Sequence, residues 1–316
     1  MHMRSMAAAA FTAALGATFA CNKAGGGEEE RACSAAQAMQ ALEIRGTSLA
    51  AKQIALTFDD GPGPRTPELS TYLEARGIRA AFFVNGQMIG DASVLAKLVA
   101  DGHFIANHTQ THRSLTGRST GLGRMNDADV VSEITQTDAL IAPYVTHERW
   151  LFRPPFGDYD AQTYAVVAAS PMNKYVGPIG WDIGDHMGPA QAADWDCWKP
   201  ESDGVVKTPA ECADLYAKEI DTVGRGIVLL HDPYFIDDDP AKGGTVDLVK
   251  LLVPALEAKG YAFVRVDEVP AIAELLPPIP PSTADGGSDA SIANASSADA
   301  SAPASGGSSA LVDPCR

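Results

Sequence analysis

Seven short apolar runs recur through the middle of the chain, at residues 53–58, 80–84, 104–107, 151–153, 175–181, 227–230 and 261–266. Each has the length of a buried strand. Longer polar-faced segments lie between them, at 67–76, 93–100, 126–142, 160–168, 209–223 and 245–259. In the last of these Leu248, Leu251, Leu252 and Leu256 recur at helical spacing and give one apolar face. Strand–helix alternation sustained over ~220 residues predicts parallel strands, hence a barrel or a doubly wound sheet. In such a barrel functional groups collect at the C-terminal ends of the strands. Polar outliers just after the apolar runs therefore mark where chemistry is expected.

The pattern breaks at both ends. Arg4 precedes an uncharged apolar run from Met6 to Ala20, which closes on Phe19-Ala20-Cys21. A basic start, a short apolar stretch and a small residue at its end read as an export signal, too short to span a bilayer. Cys21 stands where a bacterial lipoprotein signal carries its lipidated cysteine, although Thr18 replaces the usual Leu; cleavage near Ala20 without lipidation is the alternative. Gly25-Gly26-Gly27-Glu28-Glu29-Glu30 reads as a solvated tether. Residues 281–310 hold 22 Ser, Ala or Gly and no Lys or Arg, so they have little to bury and are expected to be disordered. The expected organisation is a signal at 1–21, a tether at 22–45, a folded domain at 46–276 and a tail at 277–316. The expected location is the cell envelope, as a lipoprotein or periplasmic protein, or the secreted fraction.

Composition narrows the partners only slightly. The 316-residue chain carries 24 Lys and Arg against 40 Asp and Glu, a net charge of −16, which argues against nucleic acid. Its 46% hydrophobic content excludes wholesale disorder. Five cysteines fit export. Cys197 and Cys212 are 15 residues apart in a loop-rich stretch, and a bridge there would stabilise by about 3 kcal/mol. Cys33 with Cys315 is a second candidate pair. No Cys-x-x-Cys occurs, so a thiolate zinc site has no support.

Four polar outliers follow predicted strands. Asp59 and Asp60 close the first, in Thr57-Phe58-Asp59-Asp60-Gly61-Pro62. Adjacent carboxylates after a buried strand repel unless a cation or Arg compensates, although Asp-Gly and Gly-Pro also start turns. His108 and His112 follow the third strand, at a spacing that puts two imidazoles on one face of a helical turn. Together with Asp60 they supply three N/O ligands, which leaves the open position that a catalytic rather than structural zinc site needs. Arg153, in Phe152-Arg153-Pro154-Pro155-Phe156-Gly157, could pair with Asp59 or Asp60, or simply lie on the surface of a rigid loop. His231 stands at the exit of the apolar run Ile227-Val228-Leu229-Leu230, where a satisfied core histidine is the bland alternative.

These four motifs, in this order, resemble the polysaccharide deacetylase family, the NodB-homology or carbohydrate esterase 4 group. The resemblance extends from about Gln53 to Val266. It implies a distorted parallel (β/α) barrel of about seven strands, a single catalytic domain. It also implies Asp60, His108 and His112 as metal ligands, Asp59 as general base, His231 as general acid and Arg153 as the group that holds Asp59 ionised. Phe156 would offer a backbone N–H to the oxyanion, and Trp195 and Leu229 would contact substrate. The family's paired-aspartate motif is the exception: Trp181-Asp182-Ile183-Gly184-Asp185-His186 has no Trp after its second Asp, and Asp194-Trp195 comes nine residues later. A loop insertion, with Asp194 orienting His231, is the expected arrangement; Asp182 or Asp185 could serve instead. The metal implied by one carboxylate and two imidazoles is zinc, with cobalt or nickel also accepted. The implied reaction is removal of acetyl from N-acetylated sugars of chitin oligomers or peptidoglycan. The alternatives are an O-acetyl esterase on a xylan-like glycan and a catalytically silent glycan-binding protein. Oligomeric state is left open.

Overall fold

The structure, a computed structural model, describes residues 43–200 and 204–279. The first strand, β1, spans Gln53–Asp59 and is followed by helix α1, Thr66–Glu74, with Pro67 in its first turn. Then come β2 (Ala81–Val84), α2 (Ser93–Ala100) and β3 (Phe104–Asn107). Helix α3, Asp127–Ile141, starts where the Asn126 side chain accepts from the Asp129 N–H, and α4, Ala161–Ala168, starts where Asp160 accepts from Thr163 in the same way. Such N-caps satisfy donors that the first helical turn cannot pair. A short helix α5, Asp194–Trp198, precedes α6, Pro209–Val223, which opens on a Thr208/Glu211 capping box and closes at Gly224 in the left-handed region, φ 82°. The chain finishes with β4 (Gly226–His231), α7 (Thr245–Ala258), β5 (Ala262–Phe263) and α8 (Pro270–Ala273). No described helix is long and apolar enough to cross a membrane.

The named strands form a parallel sheet in the order β3-β2-β1-β4, with β5 paired to the first residues of β1. Isolated parallel bridges carry the pairing onward from Asn107 to Phe152, from Leu151 to Val176 and from Ile183 to Val228. These links return to β4, so a ring of six parallel stretches closes as a distorted barrel, with β5 attached to β1 beside it, where about seven strands were expected. Two of those stretches, 151–153 and 175–181, are not regular strands but single bridges, and the last strand shrinks from 261–266 to Ala262–Phe263. The reason at 175–181 is local. Pro178 has no N–H for a ladder, and the carbonyls of Ile179 and Gly180 accept from the Arg153 guanidinium instead of from a neighbouring strand. The helices lie within one or two residues of their predicted bounds; α5 and α8 had no counterpart in the periodicity because each is barely a turn long.

Alternation along β1 sorts its side chains into two cores. Ile54, Leu56 and Phe58 join the cluster that packs against the helices, with Leu230 and Leu252, whereas Ala55 joins the barrel interior with Ala81, Phe83 and Ile227. Continuing the same period of two puts Thr57 and Asp59 on the interior side. The β1–β4 register sets Asp59 directly beside His231. A carboxylate and an imidazole thus stand on adjacent strands at the mouth of the barrel because of strand parity alone.

Cys197 and Cys212 form a disulfide with a Cα separation of 6.1 Å, fastening α5 to α6. Closing a loop of this length should contribute about 3 kcal/mol, so the Cys197→Ser/Cys212→Ser double variant is expected to lose about that much in urea unfolding. The proposed signal, most of the tether, most of the tail, Cys21 and the Cys33–Cys315 pair lie outside the described residues.

Candidate active site

A cleft of about 550 Å³ opens at the C-terminal ends of the strands, lined by Asp59, Asp60, His108, His112, Trp195 and His231 among others. Asp59 is the last residue of β1. Asp60 follows it in the left-handed region, φ 68°, which turns its carboxylate toward the same cleft rather than to the opposite face. The turn also needs Gly61, because a Cβ there would sit 2.4 Å from the buried Asp232 Oδ2. Asp232 accepts from the Gly63 N–H and the Thr66 hydroxyl. Burial pushes its pKa up to about 7 against those two bonds.

His108 and His112 do not lie on a helical turn. They flank an irregular loop in which Thr109 and His112 have φ of 66° and 55°. The loop is held by Glu133 of α3, whose carboxylate accepts from the backbone N–H groups of Gln110 and Thr111 and from the Thr111 hydroxyl. His108 Nδ1 donates to the Arg153 carbonyl at 2.8 Å, which fixes the ring and leaves Nε2 as its free lone pair. Asp60 Oδ1 lies 3.4 Å from His108 Nε2 and 3.1 Å from His112 Nε2. That oxygen is buried and has no hydrogen-bond partner among the described residues. One ligand atom from each of the three residues falls within 4.8 Å of the others. An orphaned carboxylate oxygen facing two imidazole lone pairs fits a divalent cation. The electrostatics of Asp60 and His112 agree, whereas at His108 burial is outweighed by the Asp59 and Asp60 carboxylates, which raise the imidazole. Burial opposes charge on Asp60, yet the histidines around it hold it well below the usual carboxylate range. Burial likewise pushes His112 down to about 4, so this ring is neutral near pH 7, as a ligand must be.

Arg153 is buried completely and points into the barrel. Its guanidinium donates to Asp59 Oδ1 at 2.6 Å, to the Thr57 hydroxyl and to the carbonyls of Ile179 and Gly180, and it lies over the Phe83 ring. It pairs with Asp59 and not with Asp60, which resolves the choice the sequence left. On the other side of the cleft His231 Nδ1 donates to Asp194 Oδ1 at 2.7 Å, and the His231 N–H donates to Asp194 Oδ2. Burial tends to strip the proton from His231, but the Asp194 carboxylate, with Asp60 and Asp59 beyond it, raises the imidazole to about 9.

Of the three aspartates considered for His231, the structure brings only Asp194 to it. Asp182 accepts from the backbone of Gly46 and Ile227, and Asp185 accepts from Trp181 Nε1 at the cleft wall. Trp195 and Leu229 line the cleft, and Phe156, φ 59° and half exposed, sets its ring edge against His112.

Residues 47–174 match the family model described as polysaccharide deacetylase. Over these residues the chain is similar to the polysaccharide deacetylase family. Its matched segment carries Asp59, Asp60, His108, His112 and Arg153, while Asp194 and His231 lie beyond it. Similar proteins include chitin deacetylase 1 of Cryptococcus neoformans, 29% identical over 194 residues, or 60% of this chain. Chitooligosaccharide deacetylase of Rhizobium leguminosarum is 28% identical over 220 residues, or 67% of this chain. The chain spans 38% of the Cryptococcus protein's length and 89% of the Rhizobium protein's. The crystal structure of the Bc1960 peptidoglycan N-acetylglucosamine deacetylase superposes with a TM-score of 0.54 at 21% identity, over 72% of this chain and 91% of that one, a likeness of fold.

Three groups at this site have no signal in the sequence motifs. Tyr234 donates to Asp60 Oδ2 and stacks on His231. Glu133 ties the histidine loop, and Thr245 donates to Asp194 Oδ2. Tyr234 is three residues past His231 and was within reach of a local search; Glu133 and Thr245 sit on remote helices, and only the tertiary fold reveals them.

Proposed function

We propose that the protein is an exported, metal-dependent hydrolase that removes acetyl groups from N-acetylated sugars of chitin oligomers or peptidoglycan. The observation that carries this is the orphaned Asp60 Oδ1 between two imidazoles, with an Arg-held carboxylate on one side and an Asp-held imidazole on the other. Relatives named as chitin and chitooligosaccharide deacetylases support the substrate class. Export is supported by the disulfide and by the apolar run at the N-terminus. The catalytic domain is taken as residues 46–276.

Asp60, His108 and His112 would hold the cation, zinc by preference and cobalt or nickel as substitutes. When bound, such a cation polarises the acetyl carbonyl and acidifies water. Asp59, held by Arg153 through Oδ1, takes the proton from the attacking water through Oδ2, the oxygen that Arg153 leaves free. The backbone N–H of Phe156 is the donor assigned to the developing oxyanion. An amine leaves an acyl centre readily only when protonated, and His231 delivers that proton, its other nitrogen anchored by Asp194. Leu229 and Trp195 wall the space for the acetyl group and sugar.

Purified protein is expected to release acetate from N-acetylated chitin oligomers or peptidoglycan fragments, detected by mass spectrometry of the products. Chelation should abolish this, and added zinc or cobalt should restore it. The His108→Ala/His112→Ala variant should be inactive; full activity in it would overturn the reading. Acetate released from acetylated xylan and from neither N-acetylated glycan would reassign the substrate to an ester.

A further inference from the structure

Two side chains outside the ligand set and outside the acid–base pair connect them. Tyr234 lies in the turn after β4. Its hydroxyl donates to Asp60 Oδ2 at 2.7 Å, and its ring lies parallel to the His231 imidazole, 8° between planes and 4.8 Å between centroids. The carbonyl of Tyr234 accepts from the Thr245 N–H at 3.3 Å, an approach that depends on Gly244, where a Cβ would come within 2.3 Å of that oxygen. The Thr245 hydroxyl then donates to Asp194 Oδ2 at 2.7 Å and accepts from Trp198 Nε1. The path runs from the Asp60 carboxylate through Tyr234 and Thr245 to the carboxylate that holds His231.

We propose that Tyr234 is a positioning residue that sets the Asp60 carboxylate for metal binding and fixes the plane of His231, with Thr245 completing the link to Asp194. This rests on the metal-dependent reading above. By occupying Oδ2, the phenol leaves Oδ1 alone facing His108 and His112, so Asp60 presents one oxygen in a set direction. Hydrogen bonds of this kind orient a ligand and raise its affinity for the ion. The stacked ring restricts rotation of the imidazole about the bond that Asp194 anchors, and its electron-rich face favours the charged form. The two halves of the site are thereby mechanically joined rather than merely adjacent.

The test is a cobalt titration of chelator-stripped protein, read by visible absorption, alongside kcat for acetate release in the reloaded protein. Tyr234→Phe keeps the ring and removes the hydroxyl; its cobalt Kd should rise by about 10- to 100-fold, with an altered absorption spectrum. Thr245→Val should leave the cobalt Kd within about twofold and lower kcat about tenfold or more, because it strips a donor from Asp194. A Tyr234→Phe variant that binds cobalt within about twofold of the parent, with the same spectrum, would overturn the proposal while leaving the metal-dependent reading intact. Equal loosening of cobalt in both variants would also overturn it, since a general fold support would behave that way. A parent that takes up no cobalt would sink the metal-dependent reading itself, and this proposal with it.

Discussion

Asp59→Asn is expected to slow acetate release by about 10²- to 10⁴-fold, the range that loss of a positioned general base produces. The amide cannot accept the proton of the attacking water, so the rate falls even though the side chain keeps its shape. Cobalt uptake should survive, because the three ligand atoms lie on Asp60, His108 and His112. Stability should fall too. Arg153 is buried completely and has Asp59 as its sole carboxylate partner among the described residues; its other acceptors are a hydroxyl and two carbonyls. Removing one charge of a buried pair costs about 3–5 kcal/mol, which urea unfolding would measure. Loss of rate with unchanged cobalt affinity would identify Asp59 as base. Loss of cobalt binding in proportion to rate would instead make it a fourth ligand, since its Oδ2 stands 3.6 Å from His108 Nε2.

Asp194→Asn should act through pH. The acid must carry its proton to deliver it, so activity is present below the His231 pKa and lost as pH rises through it. In the parent that limb falls near pH 9, since the Asp194 charge outweighs burial. With the charge removed, burial is opposed chiefly by the more distant Asp60 and Asp59, and the limb should move toward or below the ordinary histidine value near 6.5. At pH 8 the protonated fraction alone would then drop about 30-fold. Asparagine can present its carbonyl to Nδ1, but its NH2 then faces the His231 backbone N–H that Asp194 Oδ2 accepts, so urea unfolding of the variant is measured alongside to separate the pH shift from displacement. A kcat–pH profile of the two proteins, with His231→Ala as the flat reference, checks it. An unshifted alkaline limb would remove His231 from the role of acid.

Much of this site was legible because its residues sit at strand ends, where a period of two and the exit of an apolar run fix position. Asp59, Asp60, His108, Arg153 and His231 all follow β-type runs, and the barrel rule says where such residues gather. The spacing of His108 and His112 predicts one face of a helical turn, whereas the structure brings the two imidazoles together by another backbone path. Two residues of left-handed backbone replace the helical turn, and side-chain spacing does not reveal φ. Asp194 could be found only as one of three candidates, because the sequence offers Asp182, Asp185 and Asp194 alike and only the tertiary fold shows which one reaches His231. The irregular stretch 175–181 also escaped, since its carbonyls bond to Arg153, a partner that no periodicity encodes.

Four non-glycine residues around the cleft, Asp60, Thr109, His112 and Phe156, have φ between 55° and 68°. Each such residue costs of the order of 1–2 kcal/mol against ordinary backbone, and a β-branched one more. The consequence concerns anyone who selects this protein for heat resistance. Glycine at these four positions would relax the backbone and could pass a thermal screen, yet three of the four substitutions would delete a proposed ligand or the ring against His112. Thr109 is different: it is fully buried, and its hydroxyl has no partner among the described residues. It is the one place of the four where tolerance to heating could be improved without touching a group assigned to the reaction.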